Sequence, residues 1–579
     1  MLRRILKSKR AQKRSFVEPD EIFLDSKNLQ NFDRQQFEGR IEKPIAKKSI
    51  LGLSIVFMII ILVFGGRLVH LQINKGEAYF TRSENNILEK DILFADRGII
   101  YDRNKIELAW NKKIDFDLSD LETDLSTKNV SSVRAYISPG FSHLLGYVSY
   151  PSRDKSGNFW QEEFIGKDGI EKQYNDRLKG ENGSKIIETN ALGETYSENT
   201  VNVPKKGADL VTSIDSRIQG ELYNLIKSLA ESAPYQGGAG VIMDVQNGEV
   251  IALTSYPEYN SEVLSLGEDR EAINGYITDK RKFFLDRTIS GLYTPGSIVK
   301  PILGLGALVE GVIDENKKIL STGSIAIPNP YDPKQETVFK DWRVNGWTNM
   351  AEAIAVSSDI YFYAIGGGYK DQKGMGIANI EKYSKMFGIG SPTGIDLPDE
   401  KQGVIPSPSW KEKNFKGDIW RIGDTYHTSI GQYGFQATPM EMMRATAALA
   451  NRGTLLTPHV LLGDTDKEKL TSSLEIPKKY FDIIHDGMRQ TVTNGTAVSL
   501  NVPYVNAAAK TGTAQVGISK NRVNSWVVGF FPYENPKYAF TVMMEAGPTE
   551  GASNAASVMR GLFDWMYWKT PEYFTKENQ

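Results

Sequence analysis

The chain has 579 residues, 40% of them hydrophobic and 24% charged, with 69 basic residues against 71 acidic ones. A net charge of −2 gives no general attraction to nucleic acid, so no nucleic-acid partner is expected. The absence of cysteine excludes disulfides, thiolate catalysis and cysteine-ligated zinc, and the five histidines (70, 143, 427, 459 and 485) show no metal-ligand spacing.

The first fourteen positions carry Arg3, Arg4, Lys7, Lys9, Arg10, Lys13 and Arg14 without an acid, and Lys43, Lys47 and Lys48 follow before the first apolar run. Residues 49–66 are uncharged and contain twelve Ile, Leu, Val or Phe side chains. Eighteen helical residues span about 27 Å, close to a bilayer's hydrocarbon core. The twelve large apolar side chains favour insertion by about 4–7 kcal/mol. No small-x-small cleavage site follows Gly65-Gly66-Arg67, so a retained single-pass anchor is expected rather than a signal peptide. Basic residues stay cytoplasmic. Residues 1–48 therefore read as a cytoplasmic tail, 49–66 as the anchor, and everything after Arg67 as extracytoplasmic.

Residues 67–206 are polar and broken by turn residues. Gly98-Ile99-Ile100-Tyr101 and the apolar run 143–148 read as strands of an extended, mostly β pedestal, and Pro204-Lys205-Lys206-Gly207 reads as a linker. From residue 207 the patterning becomes dense. Ile218, Leu222, Leu225, Ile226 and Leu229 recur at helical spacing behind Asp215, a candidate N-cap. Residues 240–245 and 249–255 read as a hairpin through Asn247-Gly248, a pair suited to a type I′ turn with positive φ at both positions. Residues 507–516, 525–531 and 538–546 read as three more strands, and 555–567 as a last helix. An early hairpin and three late strands with helices between them predict an α+β domain over 207–579, built on one five-stranded antiparallel sheet flanked by helices.

The chemistry concentrates at Tyr293-Thr294-Pro295-Gly296-Ser297-Ile298-Val299-Lys300-Pro301. Pro295-Gly296 is a turn. Pro301 is tolerated only in a first helical turn, so a helix starts near Ser297. The apolar residues that follow on all sides make it a buried helix. A serine at the positive end of a helix dipole favours a developing alkoxide, and Lys300 lies one turn on. Burial lowers a lysine's pKa, which suits it to take the hydroxyl's proton. Ser-x-x-Lys alone is weak, since Ser152-Arg153-Asp154-Lys155 also fits it. Two further motifs strengthen it. In Ser357-Ser358-Asp359 a second hydroxyl can relay a proton and Asp359 can hold the lysine. In Lys510-Thr511-Gly512-Thr513, on a predicted edge strand, Lys510 supplies positive charge, Gly512 lets a substrate backbone approach, and Thr513 offers a hydroxyl and an N–H. The order S-x-x-K, S-D-N-like, K-T-G is that of penicillin-binding proteins and class A β-lactamases.

With these residues the chain resembles class B penicillin-binding proteins, and within them the elongation type known as penicillin-binding protein 2. Arg97-Gly98-Ile99-Ile100-Tyr101-Asp102-Arg103, the stretch 166–183, Gly423-Asp424-Thr425, Ile430-Gly431-Gln432 and Thr438-Pro439 carry the resemblance beyond the three motifs. It implies a peptidoglycan D,D-transpeptidase, with 67–206 as the dimerisation-type pedestal and 207–579 as the transpeptidase domain. Ser297 would attack the penultimate D-Ala carbonyl of a stem peptide, Lys300 would act as base, and Ser357 would return a proton to the leaving amine. Lys510, Thr511, Gly512 and Thr513 would bind the terminal carboxylate. The N–H groups of Ser297 and Thr513 would form the oxyanion hole, and β-lactams would acylate Ser297. The resemblance also implies a polytopic SEDS-type glycosyltransferase as membrane partner. Asp359 stands where many relatives have Asn, a feature frequent in the elongation type. About 30 residues separate Trp110 from Phe141, a shortened pedestal head. Some relatives carry zinc before the second motif, but Lys340-Asp341-Trp342-Arg343 and its neighbours offer no His or Cys, so no metal or other cofactor is expected. The alternatives sharing these motifs are a division-type transpeptidase, a D,D-carboxypeptidase or β-lactamase, and a non-catalytic β-lactam sensor or scaffold.

Overall fold

The computed structural model describes residues 47–80, 88–113, 132–155, 159–189, 195–329, 332–463, 472–517, 521–549 and 554–574. The basic N-terminal run and most of the interval between Trp110 and Phe141 lie outside them. The chain forms two compact units, Met1–Glu89 with Thr189–Gly193, and Lys90–Glu188 with Glu194–Gln579.

The first unit holds helix α1 (Lys47–Val69), in which no residue is buried. A wider turn, His70–Asn74, continues it. The run Lys47–Asn74 is long and apolar enough to cross a membrane. It is longer than the uncharged stretch 49–66, because a flanking lysine or arginine ends the apolar surface without ending the helix.

The second unit contains a four-stranded sheet in the order Leu210–Val211, Ile100–Tyr101, Glu107–Lys113, Ser132–Tyr136. Leu210–Val211 runs parallel to Ile100–Tyr101. The two sequence elements that flank this region meet inside it. Arg97 Nε donates to Glu171 Oε2 at 2.5 Å and Arg134 Nε to Glu171 Oε1 at 2.7 Å, with Glu171 fully buried. Burial pushes the Glu171 carboxyl up, but the two guanidiniums outweigh it and hold it below the usual range. Asp102 accepts from the Ser216 N–H and hydroxyl, and Arg103 pairs with Glu249 at 2.8 Å, so the same motif reaches into the catalytic part. One expectation fails here. Residues 142–145 form a helical turn, and only Val148–Ser149 is strand. Leu144 and Leu145 are both buried, and a short apolar run buried on all sides does not distinguish a turn of helix from a strand.

The catalytic sheet is antiparallel throughout, in the order β2–β1–β5–β4–β3, where β1 is Gly237–Asp244, β2 Val250–Tyr256, β3 Ala508–Val516, β4 Arg522–Phe531 and β5 Tyr538–Pro548. The first and last strands of the segment pair centrally (β1 with β5), so both chain ends close one sheet. β3 is an edge. The β1–β2 hairpin is as expected, but its turn is not type I′. Gly248 alone has positive φ (88°), and its N–H closes on the Asp244 carbonyl. The Asp244 and Asn247 side chains accept from the amides of Gln246 and Glu249, which holds a longer loop.

Helices α2 (Ser216–Ser232) and α7 (Ala555–Lys569) cover one face of the sheet. Asp215 caps α2 through the Arg217 N–H. The other face carries α3 (Lys300–Val309), α5 (Pro439–Ala450) and α6 (Lys478–Thr493), with α4 (Asp359–Gly367) packed on α3.

Candidate active site

The turn bearing Ser297 is built before any catalytic group is placed. Gly296 has φ 59° and opens a 3₁₀ turn, Gly296–Val299, that runs directly into α3, with Pro301 in its first turn. Four contacts pin this turn. The Gly296 N–H donates to the Gly431 carbonyl, and a Cβ on Gly431 would lie 2.2 Å from the Gly296 oxygen. Tyr293 and Ala437 exchange backbone hydrogen bonds. The indole of Trp526, buried on β4, donates to the Thr294 carbonyl at 3.0 Å. Edge strand β3 packs against the turn at Gly512.

That last contact gives a structural reason for Gly512. A Cβ there would lie 2.9 Å from the Pro295 oxygen and from Ile298 Cγ2. The missing side chain makes room for the serine turn. The Thr513 carbonyl faces Gly296, 3.2 Å from where a Cβ would be. In an antiparallel strand a residue's N–H and C=O point to the same side, so the Thr513 N–H also faces the serine turn, away from β4. Thr513 itself is exposed, while Thr511 is half-buried and its hydroxyl meets that of Thr496 at 2.5 Å.

The second motif joins the other two. Ser357, at φ 57°, presents its hydroxyl to Lys510 Nζ at 2.8 Å and to Lys300 Nζ at 3.4 Å. Lys300, Ser357, Asp359 and Lys510 thus meet from three separate elements, and Gly512 packs against the turn bearing Ser297. Lys300 is fully buried, and its hydrogen bonds go to the second motif. Its Nζ donates to Asp359 Oδ1 at 2.6 Å and to the Ser357 carbonyl at 2.8 Å, and lies 5.4 Å from the Phe362 ring centroid. A lysine has only three donor hydrogens, and a carboxylate is the strongest acceptor within reach. Lys510 is the amine most disturbed by burial. Desolvation first, and Lys300 beside it second, push it well below the usual lysine range, with Asp359 opposing. Burial thus lowers the proton affinity of Lys510, whose Nζ donates to the Ser357 hydroxyl.

Residues 238–564, more than half of the chain, match the family model described as the penicillin binding protein transpeptidase domain. The chain belongs to that family. Residues 122–212 of this penicillin-binding protein match the penicillin-binding protein dimerisation domain. Peptidoglycan D,D-transpeptidase MrdA of Escherichia coli K12 is 29% identical over 88% of this chain and 93% of its own. Peptidoglycan D,D-transpeptidase FtsI of the same organism is 25% identical over 73% of this chain and 64% of its own. Penicillin-binding protein PBP2 of Helicobacter pylori, solved as a complex with MreC, has a TM-score of 0.67 at 30% identity, over 83% of this chain and 99% of that one. The likeness to MrdA and PBP2 makes this a class B penicillin-binding protein of the elongation type, anchored to the membrane.

Three supporting residues escaped the motif reading. Thr496 and Trp526 lie in stretches with no recognisable signature, and their roles come from contacts across 15 and 232 positions of sequence. Asp341 was considered only for metal binding. Among the described residues no group of three or more His, Cys, Asp or Glu side chains is arranged for a metal ion. The Asp341 carboxylate is instead filled by protein donors, so it does not fit the zinc site of some relatives.

Proposed function

We propose that Ser297 is the nucleophile of a serine-type D-Ala-D-Ala transpeptidase that cross-links peptidoglycan during cell elongation. The observation that carries this is the convergence of Lys300 and Lys510 within hydrogen-bonding distance of Ser357, with Lys510 on a strand that packs at Gly512 against the turn bearing Ser297. Ser297 Oγ attacks the penultimate D-Ala carbonyl carbon and its proton passes to Lys300. The C–N bond to the terminal D-Ala breaks, and the leaving amine takes a proton through Ser357. The hydroxyl of Ser357 links Lys300 to Lys510, whose low proton affinity leaves the network able to receive a proton. Asp359 orients Lys300. The Ser297 and Thr513 amides stabilise the oxyanion, a large share of catalysis in such sites. Lys510, Thr511 and Thr513 line the strand where the substrate carboxylate sits, and Gly512 seats the serine turn against it. An amine of a neighbouring stem peptide then attacks the ester, forming the cross-link and restoring the Ser297 hydroxyl. β-Lactams acylate the same oxygen.

We read residues 1–48 as cytoplasmic, 49–66 as the anchor, 67–206 as pedestal and 207–579 as the extracytoplasmic transpeptidase domain. A SEDS-type glycosyltransferase in the membrane is the proposed partner, and the MreC complex of the H. pylori relative supports a second one. Labelled penicillin should attach at Ser297, and Ser297→Ala should abolish the label; labelling that survives the substitution overturns the assignment. Cross-linking of lipid-linked precursor by wild type but not by Ser297→Ala tests the transfer itself.

A further inference from the structure

Ser357 adopts a left-handed backbone that side chains rarely take, yet its hydroxyl and carbonyl are both used by the catalytic lysines. Something must hold the residue there. On one side, backbone hydrogen bonds from Ser357 and Ser358 to Ile354 and Ala353 tie it to the preceding helix, Met350–Ala355. On the other, the loop at 341–345 clamps both of its flanks. Trp342 Nε1 donates to the Val356 carbonyl at 3.1 Å, just before Ser357. Just after it, Asp341 Oδ2 accepts from the Ser358 hydroxyl at 2.8 Å and from the Ile360 N–H at 3.2 Å.

The same oxygen accepts from the Ser321 hydroxyl at 3.0 Å and Asn345 Nδ2 at 3.1 Å, and Oδ1 accepts from the Trp342 N–H at 2.8 Å. All five donors are neutral, and two come from the first turn of α4 and its cap. The carboxylate therefore sits at the positive end of α4, where anions are stabilised. Ser358, fully buried, passes the contact on by accepting from the Tyr361 N–H while donating to Asp341. Asp341 contacts neither Ser297 nor either lysine.

We propose that Asp341 is a positioning residue for the acyl transfer, holding Ser357 and Asp359 in register with Lys300 and Lys510 through Ser358 and the Ile360 amide. The inference rests on the reading of those four residues as catalytic. Asn at 341 keeps the size but loses the charge, and with its one oxygen toward the Ser358 hydroxyl and the Ile360 amide its NH2 hydrogens meet the Trp342 N–H, which loses its acceptor. Ser358→Ala removes only the relay.

The test uses full-length protein in detergent, with labelled penicillin as probe, and compares wild type, Asp341→Asn, Ser358→Ala and the double variant. Saturating stoichiometry counts folded sites, and the second-order rate constant across pH reads their geometry. The expected result is near-full stoichiometry with a rate lowered about tenfold or more, an altered pH profile, and a double variant no slower than Asp341→Asn alone. Wild-type rates in the single variants overturn the proposal, as do multiplicative losses with an unchanged pH profile. If Asp341→Asn does not fold, Ser358→Ala decides alone, a wild-type rate and profile refuting the clamp. Ser297→Ala in the same assay separates the two claims: label retained there removes the site reading, whereas label lost there with a normal Asp341→Asn removes only the role of Asp341.

Discussion

At Asp359 a carboxylate stands 2.6 Å from Lys300 Nζ and works against the fall in proton affinity at Lys510. An amide at that position keeps the shape and drops the charge. The amine of Lys510 would then lose its proton at lower pH, because the carboxylate that favours its charged form is gone. Asp359→Asn is expected to move the limb of penicillin acylation that follows loss of the Lys510 proton toward lower pH, read from rate constants measured from acid to alkaline pH. A limb that stays in place, or moves up, removes Asp359 from the proton network. The residues of the proposed site were legible from three short motifs, because a helix start, a hydroxyl pair and an edge strand each leave local marks. Their pairing was not. The three-residue spacing places Lys300 one turn from Ser297, but the rotamer is chosen by Asp359 and the Ser357 carbonyl, which come from a segment nearly 60 positions on. Gly512 likewise had a legible requirement for smallness and an illegible reason, since the crowding atoms belong to Pro295 and Ile298.

Among the elements, the pedestal depends on a buried charge cluster where the helix bearing Glu171 meets the strand-forming segments bearing Arg97 and Arg134. A single carboxylate serves two guanidiniums that are both almost fully buried. Glu171→Gln would leave both cations without a counter-charge, and breaking a buried pair in this way costs about 3–5 kcal/mol. Glu171 is held below its ordinary range in the folded protein, so its contribution is present above the unfolded carboxyl's titration, about pH 4.3, and is lost as pH falls through the lower folded value. Denaturant unfolding should show wild type losing this increment at acid pH, with the variant weaker at neutral pH and flatter below. Equal stability at neutral pH would mean the cluster contributes nothing net. Helices α2, α3 and α7 and the five strands of the large sheet were readable from periodicity and caps, whereas α5 and α6 were not. The β1–β2 turn and the helical turn at 142–145 were not, because two side-chain caps outcompeted the Asn-Gly preference and a four-residue apolar run carries no period.

For the whole molecule, the anchor and the catalytic machinery follow from different physics. No residue of α1 is buried among the described residues, and its length and composition suit it to cross a bilayer. The second unit draws its own cores from residues 100 onward. A chain beginning at residue 88 should therefore fold, remain soluble and take up penicillin at a rate within about twofold of full length, since no group in the cleft is removed. Cross-linking of membrane-borne precursor should behave differently. Tethering confines the enzyme to the surface that carries its substrate, and an intramolecular or surface-confined encounter gains about 10²–10⁴ over one from solution. Measuring both activities on the same truncated protein separates the two contributions. Loss of penicillin uptake would show that the cleft needs the anchor for its fold, and retained cross-linking at full rate would show that the anchor does not act by concentrating the enzyme at its substrate.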